Sequence, residues 1–191
     1  MTHVKKAGLL VVAATALMAF AGTASATILT SPAGTTYTGE IKAEAGTTTL
    51  AGSFTTVDCK KSTAAGKVES HGAATTTQGV VTVLTFTECN HPVTVNKKGS
   101  LELHTFESTV DGNGTLTSIG AEITVKTSIG TCIFTTNSTD IGTVLGGTPA
   151  KLKVENEAIP RTGGSAGFLC GSTGIWNGSY TVTTPGTLLV D

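Results

Sequence analysis

Gly79–Cys89, GVVTVLTFTEC, decides how the rest of the chain is read. Its β-branched residues suit a pleated strand. Val81 and Val83 stand in one alternating frame, and Val80, Leu84 and Phe86 in the other. Apolar side chains in both frames mark a strand covered on both faces, so this segment is expected to be the most central strand of the fold.

Outward from it, period two dominates. Around Thr36–Glu44, Tyr37, Gly39, Ile41 and Ala43 alternate with Thr38, Glu40, Lys42 and Glu44. Leu101 and Leu103 alternate with Glu102 and His104; Ile123 and Val125 with Glu122, Thr124 and Lys126. Leu152 and Val154 oppose Lys151, Lys153 and Glu155, and Trp176, Tyr180 and Val182 oppose Asn177, Ser179 and Thr181. Each reads as a half-buried strand with one wet face. Turn signals such as SPAG, NKKG, DGNG and LGGTP fall between them. No segment after the N-terminal region keeps a 3.6-residue period. Thr, about a fifth of the chain, and 24 glycines add to the preference for strands. The expected fold is all-β: an antiparallel two-sheet sandwich, loosely immunoglobulin-like, over residues 27–191 as a single domain. A true immunoglobulin spacing is missing, because Trp176 follows every cysteine.

The N-terminus reads as an export signal. Lys5 and Lys6 precede the apolar run Ala7–Phe20, and Ala24-Ser25-Ala26 is the small-x-small pattern of a cleavage site. A signal-peptide helix is expected within residues 1–26, cut after Ala26. The run is shorter than the ~20 residues of a membrane span, so no span is expected after cleavage. What remains is about 165 of the 191 residues, with 10 basic against 13 acidic residues. That weak acidity, with only the pairs Lys60-Lys61 and Lys97-Lys98, offers nucleic acid no basic face.

Four cysteines in an exported chain point to two disulfides, with three pairings open. A faint two-half recurrence (Cys59 then the strand ending TFTEC, Cys132 then GFLC) favours Cys59–Cys89 and Cys132–Cys170. Closing loops of this length is worth ~3–4 kcal/mol each in a chain-entropy estimate. A zinc site lacks its C-x₂₋₄-C pair, and no redox C-x-x-C is present. His71, His91 and His104 have no ligand-spaced partner and read as surface residues. Asp111–Glu122 imitates a calcium loop, but Leu116 stands where that loop needs Gly, so DGNG reads as a hairpin turn. Asn113, Asn137 and Asn177 match the glycosylation triplet, which so Thr-rich a chain produces by chance.

Gly163-Gly164-Ser165-Ala166-Gly167 fits G-x-S-x-G. A nucleophile elbow needs an incoming strand, a following helix, a base and an orienting group. Pro160 should interrupt the strand, and FLCGSTG does not start a helix. His71 and Asp111 lack the flanking residues of a barrel-type serine protease. Ser165 is therefore expected to be a turn residue. Glu155 and Glu157 read as two carboxylates on one wet face. No phosphate-binding loop is present, and no cofactor or metal is expected.

The stretch ATILTSPAGTTYTGEIKA, followed by Cys59, GKV and FTEC, resembles the start of the bacterial secreted alkane-oxidation activator family. The remainder is similar to small uncharacterised Thr/Gly-rich exported proteins of actinobacteria. The resemblance implies a secreted accessory protein and carries over no catalytic residue.

The expected function is therefore non-enzymatic: a surface, matrix or interaction module outside the cell or in its envelope, meeting a cell-surface polymer or a protein. The alternative is a secreted ligand-binding or inhibitor protein with an apolar cleft near Trp176, Tyr180 and Phe168. A deep apolar cavity would favour that alternative over the surface module.

Overall fold

The computed structural model describes residues 29–71, 76–105 and 112–191. The expected signal peptide, residues 1–26, and Asp111 lie outside the described residues.

The described chain is all-β apart from one turn of helix. In order it forms β1 (Leu29–Thr30), β2 (Glu40–Ala45), β3 (Thr48–Ala51), β4 (Thr56–His71), β5 (Thr76–Cys89), β6 (Val93–Lys97) and β7 (Ser100–Thr105). There follow β8 (Asn113–Ile119), β9 (Glu122–Thr127), β10 (Gly130–Thr135), β11 (Thr139–Leu145) and β12 (Lys151–Gly163). The helix α1 (Gly167–Cys170), β13 (Thr173–Thr184) and β14 (Leu189–Val190) complete it. All five alternating segments contribute strands with their apolar frames turned inward, but in the first only Glu40–Ala45 is strand, and Tyr37 and Gly39 lie before it.

The expected two-sheet sandwich does not form. The main sheet closes on itself. β2 and β3 lie end to end and share one lane. On one side the lane pairs with β4 (Ala43 opposite Ala64, Leu50 opposite Val57), and on the other with β13 (Ala43 opposite Val182, Leu50 opposite Trp176). From β4 the antiparallel ladder runs through β5, β7, β8, β11 and β12 to β13 and back to that lane. The result is a closed eight-lane barrel. Closure removes the free edges that a sandwich must protect.

Bulges make the bend possible, since an extra residue increases twist and turns a strand. Residue pairing slips at Thr82 in β5, at Glu69 in β4, near Gly142 in β11 and around Asn156 in β12. Asn156 and Gly142 take positive φ of 59° and 145°.

Two additions cover the barrel ends. β10 pairs with the far end of β12 (Phe134 opposite Arg161), β9 pairs with β10, and β6 with β9, forming an annex sheet. At the other end β1 pairs with β14, Leu29 opposite Val190. Buried apolar residues gather accordingly: one cluster around Leu50, Val57, Val125 and Phe134, a second around Leu29, Val68, Leu188 and Val190, and a small third of Ala45, Val154 and Tyr180. The core is divided because the barrel interior is not filled.

Candidate ligand-binding lumen

The wall of the lumen is built by alternation. Each strand lays every second residue inward. Leu101 and Leu103 on β7, Leu152 on β12, and Trp176 and Tyr180 on β13 follow this simply. β5 does not. Ala65 pairs with Val83 and Gly66 with Val81, so Thr82 is an extra residue. The bulge switches the frame: Val81 points inward before it, Leu84 and Phe86 after it. Val83, 38% exposed, points out with Thr85 and Thr87. The expectation of a strand covered on both faces is thus corrected. Its two apolar frames are one inward face read across a bulge.

The lumen has two lobes. The first, about 120 Å³, lies at the annex end and is lined by Val57, Leu84, Phe86, Phe134 and Trp176 among others. The second, about 150 Å³, lies at the β1–β14 end, with Leu29, Ile41, Val68 and Leu188 on its wall. Along β4 the lining passes from Cys59 in the first lobe through Ala64 to Val68 in the second, so the lobes follow one another along the barrel.

An aromatic row stiffens the first lobe. Phe86 meets Trp176 edge-on at 6.5 Å, and Trp176 meets Tyr180 at 6.2 Å. The Tyr180 hydroxyl, buried in the wall, shares a 2.7 Å hydrogen bond with the buried Ser62 hydroxyl. Burial pushes the Tyr180 pKa up to about 12, against a smaller lowering by the Ser62 bond. Ser118 and Thr136, also on this wall, pair with each other at 2.9 Å. These four hydroxyls thus satisfy one another, and most of the lining side chains are hydrocarbon, with Thr48, Thr49 and the exposed Lys98 also bordering this lobe.

No family model, curated protein or solved structure matches the chain. The reading of the site therefore rests on its geometry. Of the three residues expected at an apolar cleft, Trp176 and Tyr180 come together on the lumen wall. Phe168 does not: it stands on α1, 68% exposed, and only its neighbours Leu169 and Cys170 turn toward the core. Both disulfides pair as expected, Cys59 with Cys89 and Cys132 with Cys170. The first joins directly opposed residues of β4 and β5, and the second ties α1 to β10.

The surroundings of Ser165 differ from expectation in two ways. β12 continues through Pro160, which faces Thr173, and α1 does begin at Gly167. Yet Ser165 Oγ is exposed and accepts a 3.2 Å hydrogen bond from the Thr131 amide, and among the described residues no histidine bonds to it. His91 Nε2 lies 3.5 Å from Thr55 Oγ1, and His104 lies 3.7 Å from Glu102. Among the described residues no group of three metal-ligating side chains exists.

Glu155 and Glu157 also part company. The bulge at Asn156 turns Glu157 into the frame of Ile159, opposite Trp176, while Glu155 stays exposed. Burial, with Asp140 nearby, raises the Glu157 pKa. The sequence reading put Glu157 on the wet face, where the structure half-buries it, and it did not single out the wall residues Ala43, Ala64, Leu84 and Leu116. The alternation of β2 held the signal for Ala43. Ala64 sits in a small-residue run that reads as a turn.

Proposed function

We propose that the protein is a non-enzymatic exported barrel that holds a small apolar molecule in its lumen. The observation that carries this reading is the two-lobed hydrocarbon lumen, with Trp176 and Tyr180 on its wall. Cavities of about 150 Å³ lined by aliphatic and aromatic groups stay dry and take up apolar guests of benzene size. An eight-stranded barrel is wide enough for one such ligand. The deep cavity favours the binder over the surface module.

The outer wall supports a water-borne protein. Glu40, Lys42 and Glu44 project from β2, and Lys151, Lys153 and Glu155 from β12, all exposed. On a lipid-facing wall, Lys at mid-bilayer would cost about 2–4 kcal/mol each. Among the described residues no helix is long and apolar enough to cross a membrane. Two disulfides suit an oxidising compartment, which agrees with export by the N-terminal signal. The resemblance to secreted activator proteins agrees with an accessory rather than a catalytic role.

Trp176, the single tryptophan, reports on the first lobe. Titrating the processed protein with toluene should shift its emission saturably. An emission spectrum unchanged up to the solubility limit of toluene, together with no bound toluene by equilibrium dialysis, would overturn the proposal.

A further inference from the structure

The two lobes share six lining residues: Ala43, Ala64, Val81, Leu101, Leu116 and Leu152. These come from β2, β4, β5, β7, β8 and β12, so they form a ring round the barrel where the lobes meet. The ring is uneven. Four members are branched aliphatics. Ala43 and Ala64 are cross-strand partners on adjacent lanes, and both carry only a methyl group. They leave room on one side of the ring that two leucines would fill.

From this ring we infer the ligand class: a single unbranched, uncharged alkyl chain threaded past Ala43 and Ala64 so that it occupies both lobes. The inference rests on the lumen being a binding site. Each lobe is near the size that admits a six-carbon ring, so the two together suit a chain of roughly ten to twelve carbons. A chain one methylene wide passes a constriction that a cage or fused ring cannot. Tyr180 pairs with Ser62 and Ser118 with Thr136, and the lysines that border the lobes, Lys98 at the first and Lys67 and Lys151 at the second, are exposed, so a charged head would meet its partners where the lining reaches solvent and the chain between stays uncharged. Ala43 and Ala64 become the specificity-determining residues. Both also pack against the cluster of Ala45, Val154 and Tyr180, while larger aliphatics line the rest of the ring.

The test compares three probes on the processed protein: benzene, which one lobe can hold; 1-decanol, which needs both; and 1-adamantanemethanol, a cage of similar carbon count. Binding is followed by Trp176 emission and by methyl chemical shifts of Val57 in the first lobe and Val68 in the second. Decanol should bind at one per chain, shift both valines together, and bind at least tenfold tighter than the cage. Ala64→Leu should weaken decanol at least tenfold and weaken benzene by a much smaller factor, since benzene needs only the part of one lobe away from the ring. Retained benzene binding also reports that the variant folds. Leu152→Ala provides a second route if the leucine is not accommodated, since it widens the ring and should improve cage binding. Benzene bound but decanol confined to one lobe, or decanol indifferent to both substitutions, would overturn the threaded chain and leave the lumen reading intact. Failure of all three probes to bind the parent protein would overturn both.

Discussion

Tyr180 is almost completely buried, and its hydroxyl and that of Ser62 have each other as partners in the barrel wall. A buried phenol resists ionisation, which links this residue to stability at high pH. Below about pH 10 the tyrosine is neutral whether the chain is folded or not. Above 10.0 the unfolded chain releases the proton, while the folded one holds it to about 12. The raised folded-state pKa therefore contributes stability that is full below pH 10 and lost between 10 and 12, about 2–3 kcal/mol in all. Tyr180→Phe should cost ~1–3 kcal/mol at pH 8, because Ser62 is left unpaired. It should also lose this part of the pH dependence, so that the gap to the parent narrows as pH rises from 8 to 11.5. Urea midpoints at the two pH values measure it; a constant gap would show that Tyr180 does not titrate in this way. The two lumen residues legible from sequence, Trp176 and Tyr180, were so because β13 alternates cleanly where they stand. Phe168 misled for the opposite reason. An isolated aromatic carries no alternating pattern to place it, and a single helical turn buries only one side, which Cys170 takes.

β5 shows what alternation can and cannot tell. A run with apolar residues in both frames has two physical readings, burial on both faces or one face interrupted by a bulge. The residues are the same in both cases, and only the partner strand decides. Here β4 decides, by placing Ala65 opposite Val83 and Gly66 opposite Val81. β12 repeats the lesson at Asn156, where the frame change carries Glu157 inward. Neither bulge has an unmistakable signature, since Thr82 is an ordinary strand residue and Asn156 is flanked by glutamates. Because a one-residue slip moves every later side chain to the other face, Thr82 should be indispensable as a spacer. Deleting it is expected to expose Leu84 and Phe86 or to break the pairing with β4, with loss of the cooperative thermal transition. Val83→Thr, on the outer face, should change stability by no more than ~0.5 kcal/mol. A deletion variant melting near the parent temperature would refute the bulge as the origin of the frame change.

At the scale of the molecule, closure was the feature least visible in the sequence. Sandwich and barrel use the same strands with the same inward faces. They differ in whether the β2–β3 lane pairs with both β4 and β13, and the β13 pairing joins residues far apart in the chain. Closure also creates an asymmetry between the two ends. The annex end carries both disulfides: Cys59 lines the first lobe, and Cys132 and Cys170 belong to the cluster around it. The opposite end is closed by β1 and β14, a pair of two-residue strands with no crosslink, held by Leu29 opposite Val190 and by the Thr30–Asp191 hydrogen bond. Local opening costs least where few backbone pairings must be given up, and β1 and β14 share only two residues a strand, although Leu29 and Val190 are buried. Native-state hydrogen exchange should therefore find the amides of β1 and β14 opening well below the global free energy, and those of β9 and β10 close to it. Reducing both disulfides should lower protection at the annex end and leave the β1–β14 end as it was. If the lumen takes up a ligand, the easier opening also makes the β1–β14 end its route in. Equal protection at the two ends of the oxidised protein would remove that asymmetry, and with it the argument for this route.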